Sequence, residues 1–205
     1  MSIEIRPSQP EDAEFAVPYI YSSGPYSFDY IFAGPDHTAP AFLSQAFSKP
    51  GGELGSRDHF SVFRDGEIVG CGKIMSPRDS LSYALHGMTQ IFGHYGLLSG
   101  VGVIRRALAA ERVIQPPKGE LWIISHLGVS EELRGQGIGA RLIEYLIDSV
   151  RQRGGRRVGL DVAVINPRAE ALYERMGFEV TAIRDSDLSN QFGTVPGMHR
   201  MEMAI

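Results

Sequence analysis

The residues whose types and spacing can support chemistry concentrate in one run, Arg134-Gly135-Gln136-Gly137-Ile138-Gly139-Ala140. A glycine-rich bend that opens a helix offers backbone N–H groups with no intrahelical partner, at the positive end of the helix dipole. That arrangement suits a phosphate. Glycine lets the backbone come close to its ligand, and a side chain at Gly137 would push a phosphate away. Three phosphate-binding patterns compete for the run. The P-loop is absent, because no Gly-Lys-Ser/Thr follows the glycines. The dinucleotide fingerprint is formally met by Gly135, Gly137 and Ala140, with Asp161 as the downstream acid, and would imply an NAD-dependent oxidoreductase. Against it, Ser130 to Arg134 separate the glycines from the preceding strand, Asp161 falls mid-strand, and too little chain follows for a doubly wound sheet.

The third pattern extends beyond the glycines. Arg134 to Gly139 resembles the R/Q-x-x-G-x-G/A signature of the GNAT superfamily of acyl-CoA-dependent N-acyltransferases. Val129 stands where the family's central strand ends, and Asn166 where its next strand ends. Ala169, Leu172, Tyr173, Gly177 and Phe178 reproduce the family's A-x-x-L-Y-x-x-x-G-F helix. Ile3 to Pro7 with Asp12, and Met201 to Met203, are similar to the family's termini. The resemblance is clear over residues 121–183, thinner over 1–75 and absent from 79–117.

The resemblance implies a mixed α/β (α+β) fold: a twisted, mostly antiparallel sheet with a splayed central parallel pair and helices on both faces. It implies acetyl-CoA as cosubstrate, its pyrophosphate held by amides from Arg134 to Ala140, Ile138 and Gly139 included. Arg134 and Gln136 add side-chain donors, Asn166 joins the cofactor site, and the splay falls near Gly128. Leu127 and Val129 then bond the pantetheine arm, and one strand amide holds the developing oxyanion. Tyr173 matches the tyrosine that protonates the leaving thiolate. The general base is left open. His126 is suitable by place and by its ordinary pKa, and a buried, satisfied strand histidine reads nearly as well. Many relatives use a water relay to a carboxylate, and Asp29 and His37 are weaker candidates.

The implied reaction is direct attack of a primary amine, on a small molecule or a peptide, on acetyl-CoA in a ternary complex. A non-catalytic acyl-CoA-binding or sensing module on the same fold is the alternative from another class.

The elements that must position these residues follow from periodicity. Leu121 to Val129 reads as a buried strand, and Leu142, Ile143, Leu146, Ile147 and Val150 mark one helical face that packs on a sheet. Gly154-Gly155 stops that helix, and Val158 to Val164 alternate as a strand with Asp161 on the opposite face from the valines. Asn166-Pro167 begins the next helix and Gly177 ends it. Upstream, Ile3 and Ile5 start a strand, and Ser8 or Pro10 leads into an acidic helix start. Rings from Tyr19 to Phe47 lie on broken helices, mostly as core and in part as a pocket lining. His59 to Arg64 and Glu67 to Met75 form a hairpin about Asp65-Gly66. Residues 79–117 read as two helices inserted between strands, either a lid or an association surface that would imply a homodimer. His86 and His94 within them are ordinary polar positions. Phe178 to Ile183 and Met198 to Ile205 are the closing strands.

The 205 residues fit a single domain spanning 1–205. A net charge of -4 argues against a nucleic-acid partner, since phosphate neutralisation needs surplus Lys and Arg. The arginines at 151, 153, 156 and 157 read as helix-end pairing plus solvation. Cys71 is the one cysteine, which excludes an intramolecular disulfide and a thiolate metal cluster and suggests a buried, inert thiol. No signal-peptide apolar region opens the chain and no span suits a bilayer, so a cytoplasmic protein without membrane partners is expected.

Overall fold

A computed structural model describes residues 3–205. Its strands are β1 (Ile3–Pro7), β2 (His59–Arg64), β3 (Glu67–Met75), β4 (Leu121–Val129), β5 (Arg157–Ala163), β6 (Glu179–Arg184) and β7 (Met198–Ala204). They form one sheet in the order β1-β2-β3-β4-β5-β7-β6. Only β4 and β5 pair in parallel. The mixed, mostly antiparallel sheet implied by the sequence is present. The hairpin turn also matches, with Asp65 and Gly66 both at positive φ, 52° and 89°, as the twist of a two-residue connection requires.

The helices are α1 (Ala13–Ser22), α2 (Pro25–Phe32), α3 (Ala39–Phe47), α4 (Ser80–Ala110), α5 (Ile138–Gln152) and α6 (Pro167–Arg175). The apolar face of α5 is buried against Trp122, Ile124, Val158 and Leu160, with Tyr173 of α6 in the same cluster. Each such side chain contributes roughly 1.5–3 kcal/mol by burial, enough together to fix the helix and the glycine bend before it. On the other face, α1 and α3 cover Cys71, whose thiol burial pushes up to about 12, which leaves it unreactive. The 79–117 segment forms two helices that meet at Gly96 (φ 72°, ψ 178°) and pack on α2 and α3. No described helix is long and apolar enough to cross a membrane.

Two local expectations are sharpened. Of the two residues offered for the acidic helix start, Pro10 holds the first position of the turn before α1, and Ser8 does not, its hydroxyl lying 2.8 Å from that of Ser61. The turn is closed by Asp12, whose carboxylate accepts from the Gln9 amide at 2.8 Å and pairs with Arg6 at 3.0 Å. The arginines after α5 are not merely solvated: Arg153 reaches Asp58 and Arg157 reaches Glu202, each at 2.6 Å.

The splay between β4 and β5 begins earlier than Gly128. Parallel pairing covers Leu121 to Ile123 against Arg157 to Gly159 and then stops. Gly128 itself stays paired to Cys71 of β3. A glycine stands there for a packing reason, since a Cβ would lie 2.0 Å from the Tyr19 carbonyl oxygen of α1. Backbone cannot yield as a flexible side chain does. Gly128→Ala is therefore expected to destabilise the fold by about 2 kcal/mol or more, in the upper range of overpacking. Thermal unfolding checks it, and an unchanged Tm would show that α1 can move away from β4.

Candidate active site

The bend before α5 is open. Gly135 and Gly137 have φ of 83° and 78°, left-handed values that favour glycine, and a Cβ at Gly137 would meet nothing within 4 Å. The first backbone donor to find an intrahelical acceptor is Arg141, on Gly137 O at 3.0 Å. The N–H groups of Gly135, Gly137, Ile138, Gly139 and Ala140 donate to no group among the described residues. They lie at the head of a helix of 15 residues, an arrangement whose chemistry suits an anion. Arg134 is paired with Glu131 at 2.8 Å, and the Gln136 amide bridges Arg64 and the Glu132 carbonyl at 3.3 and 3.4 Å. Asn166 caps α6, its Oδ1 accepting from the Ala169 amide at 3.2 Å, and is exposed, while Arg168 and Leu172 of the same helix come nearest the bend, 3.8 Å from a Cβ built at Gly135 and Gly139.

The open edge of β4 is the second component. Ser130 N donates to Val69 O of β3 at 2.9 Å. Strand amides alternate in direction outside a bulge, so that of Val129 points the other way, towards the gap left where β5 diverges. Tyr173 on α6 is 9% exposed, and its hydroxyl has no hydrogen-bond partner among the described residues. Burial raises it to about 12, so it stays protonated and available as a donor.

His126 occupies a position no sequence pattern could assign. Cys71 pairs with Gly128 and Lys73 with Ser125, so His126 and Leu127 together oppose Gly72. This is a β-bulge, and His126 carries it at φ 54°. In an unbroken strand His126 would share the α5 face with Ile124. The bulge turns it to the α1–α3 side, where its ring lies 5.8 Å from that of Phe28 and stacks on His59 at 5.2 Å. Leu127 takes the place against the α5 cluster instead.

Sequence reasoning missed two residues that belong here. His59 Nδ1 is 2.7 Å from Gly55 O, which can only accept, so that nitrogen carries a proton. His59 Nε2 is then the acceptor for His126 Nδ1 at 2.9 Å. His126 Nε2 is left with its lone pair and no partner among the described residues. Lys73, fully buried, donates to Arg57 O at 2.8 Å and lies 3.5 Å from His59 Nδ1. Burial first, then the Lys73 charge, drives His126 down to about 3 although it keeps some exposed area, and burial likewise holds His59 well below the usual range. A lysine inside the apolar run Val69 to Met75 was the available signal.

The remaining candidates sit elsewhere. His37 belongs to an aromatic cluster with His94 and Tyr95, at 5.0 and 4.7 Å, and makes no contact with His126 among the described residues. Asp29 accepts the Tyr21 hydroxyl at 2.9 Å. His86 bonds the Ser82 carbonyl at 2.8 Å, and His94 bonds Gln45. Of the early rings, Phe32, Phe42 and Phe47 are core, whereas Phe28 and Tyr21 flank the site. Asp161 is held by Arg200 at 2.7 Å and Arg184 at 3.2 Å, which leaves no ribose-binding carboxylate for the dinucleotide reading.

A bend of unpaired amides thus follows a strand that has parted from its parallel neighbour, the arrangement that the sequence resemblance implied. The chain belongs to the acetyltransferase (GNAT) family, whose model matches residues 26–178. It is 34% identical over 94 residues to the 5-NmdU N-acetyltransferase of Pseudomonas phage PaMx11, covering 46% of this chain and 59% of that one. It is 39% identical over 59 residues to the [ribosomal protein bS18]-alanine N-acetyltransferase of Escherichia coli K12, covering 29% and 40%. The match therefore takes in less than two thirds of either relative. An N-acetyltransferase structure from Staphylococcus aureus Mu50 shares the fold, with a TM-score of 0.68 at 14% identity, over 98% of this chain and 100% of that one.

The histidine pair makes a prediction about acid. Both folded-state values lie below the ordinary 6.5, so the unfolded chain binds more protons as pH falls. The stabilisation is complete above about 6.5 and is lost progressively towards the folded value of about 3 for His126. Denaturant titration between pH 7 and 4 is expected to show falling stability, with a weaker fall in His59→Gln. An equal fall in both would remove the histidines as the cause.

Proposed function

We propose that the protein transfers the acetyl group of acetyl-CoA to a primary amine by direct attack in a ternary complex. Acetyl-CoA supplies an activated thioester. The N–H groups of Gly135, Gly137, Ile138, Gly139 and Ala140 bind its diphosphate, with Arg134, Gln136 and Asn166 as flanking donors. Leu127 and Val129 offer amides to the pantetheine arm and to the oxyanion along the unpaired edge of β4. Tyr173 donates a proton to the departing sulfur, and His126 Nε2 accepts one from the amine. The observation that carries this reading is the open cradle at the head of α5, adjoining the gap between β4 and β5. The acceptor is an amine on a small molecule or a peptide, and the net charge of -4 favours a cationic one through long-range attraction.

Tyr173→Phe separates transfer from mere cofactor binding. Release of free thiol from acetyl-CoA, screened over a panel of amines, is expected to find an acceptor. With that acceptor the variant is expected to lose about a hundredfold in kcat while acetyl-CoA affinity, measured by calorimetry, changes less than about twofold. Tight acetyl-CoA binding with no turnover on any amine would favour an acyl-CoA sensing module instead.

A further inference from the structure

Three basic groups lie in a connected line through the core. Lys73 Nζ is 3.5 Å from His59 Nδ1, and His59 Nε2 is 2.9 Å from His126 Nδ1. The line ends at His126 Nε2, which has no partner and sits on the half-buried part of β4 beside Phe28. No carboxylate is hydrogen-bonded to either imidazole among the described residues. A proton taken up at His126 therefore has no adjacent negative charge to stabilise it where it lands.

We propose that Lys73 is the terminal proton acceptor of a relay through His59 and His126, and that the two histidines conduct the proton without holding it. The inference rests on His126 accepting the proton of the amine. As the amine nitrogen bonds to the acetyl carbon and the carbon–sulfur bond breaks, the nitrogen's proton passes to His126 Nε2. His126 Nδ1–H passes to His59 Nε2, and the His59 Nδ1 proton leaves the Gly55 carbonyl at 2.7 Å for the free amine of Lys73 at 3.5 Å, which becomes an ammonium. The sulfur takes its proton from Tyr173, so each proton has a donor and an acceptor. Reversal through solvent at the exposed end restores the starting tautomers and releases one proton, and the Tyr173 phenolate takes one back from solvent.

The environment of each group matches its place in the line. Burial makes a lasting imidazolium costly at both histidines, and once Lys73 holds the proton its charge adds to that cost. Lys73 is lowered by burial to about 8, with Asp58, Glu53 and Cys71 opposing the fall and Arg57 adding to it, so a fraction of it is free amine near neutral pH. The Tyr83 ring packs over it at 5.7 Å, and the carbonyls of Gly55 and Arg57 accept from it at 3.4 and 2.8 Å. Those two carbonyls also give Lys73 a purely structural role, tying down the segment before β2. The experiment must separate the two roles.

Two measurements do so. In the free protein, nitrogen-15 NMR of the imidazoles is expected to show both histidines neutral and protonated at Nδ1. The His59 signals are expected to shift with a midpoint near 8 as Lys73 titrates. In turnover, kcat is expected to rise to a plateau through the same midpoint with two acceptors of different basicity. Lys73→Met, which keeps volume and removes the amine, is expected to lose that limb and about a hundredfold in rate. An Nε2–H tautomer at His126, or His59 signals flat around pH 8, overturns the relay even if the methionine variant fails to fold. A His126→Gln variant that loses activity beside a Lys73→Met variant with the wild-type pH profile leaves the base in place and removes only the relay. Full activity in His126→Gln removes both.

Discussion

The parting of β4 from β5 after Ile123 is the constraint on which the rest of the molecule depends. A sheet normally satisfies every backbone donor with its neighbour, and amides left open inside a fold cost free energy unless something else binds them. Here the open edge of β4 leads to the bend at the head of α5, whose own amides are unpaired for a different reason, the geometry of a helix start. Two independent sources of unsatisfied donors thus adjoin. The core beneath them, from Leu142 to Val150 against the sheet, holds both in place without taking part in either.

The bulge at His126 is the second device, and it works on the other face. Without the extra residue opposite Gly72, a histidine two places after Ile124 would enter the α5 core. With it, the ring meets His59, and the Gly55 carbonyl sets the tautomer of both rings through a chain of bonds at 2.7 and 2.9 Å. A single backbone acceptor thereby decides which nitrogen of His126 is basic. The left-handed φ of His126 is strain kept in place by stacking and by the strand pairing on either side.

Much of this was legible in the sequence, where short-range rules govern. The period of α5, the Asp65-Gly66 turn, the Asn166-Pro167 start and the glycine bend each depend on residues a few places apart. The order of the parallel pair followed from the resemblance rather than from periodicity. What stayed hidden depends on register between distant strands. Nothing near His126 announces that it opposes Gly72, and nothing near Gly128 announces the Tyr19 carbonyl that requires it to be glycine. Lys73 was visible as an anomaly, a charge in an apolar strand, but its partner His59 is set by a cross-strand pairing that composition cannot show. The position of the splay, placed near Gly128, was wrong for the same reason.

The central claim is that the amides on the open edge of β4 and at the head of α5 together hold coenzyme A. Proton–nitrogen correlation spectra of the uniformly labelled protein, recorded while coenzyme A is added, test it directly. The account predicts that the largest shifts fall on Leu127, Val129, Gly135, Gly137, Ile138, Gly139 and Ala140, and saturate together. Saturable shifts confined to other parts of the fold, with these amides unmoved, would contradict it.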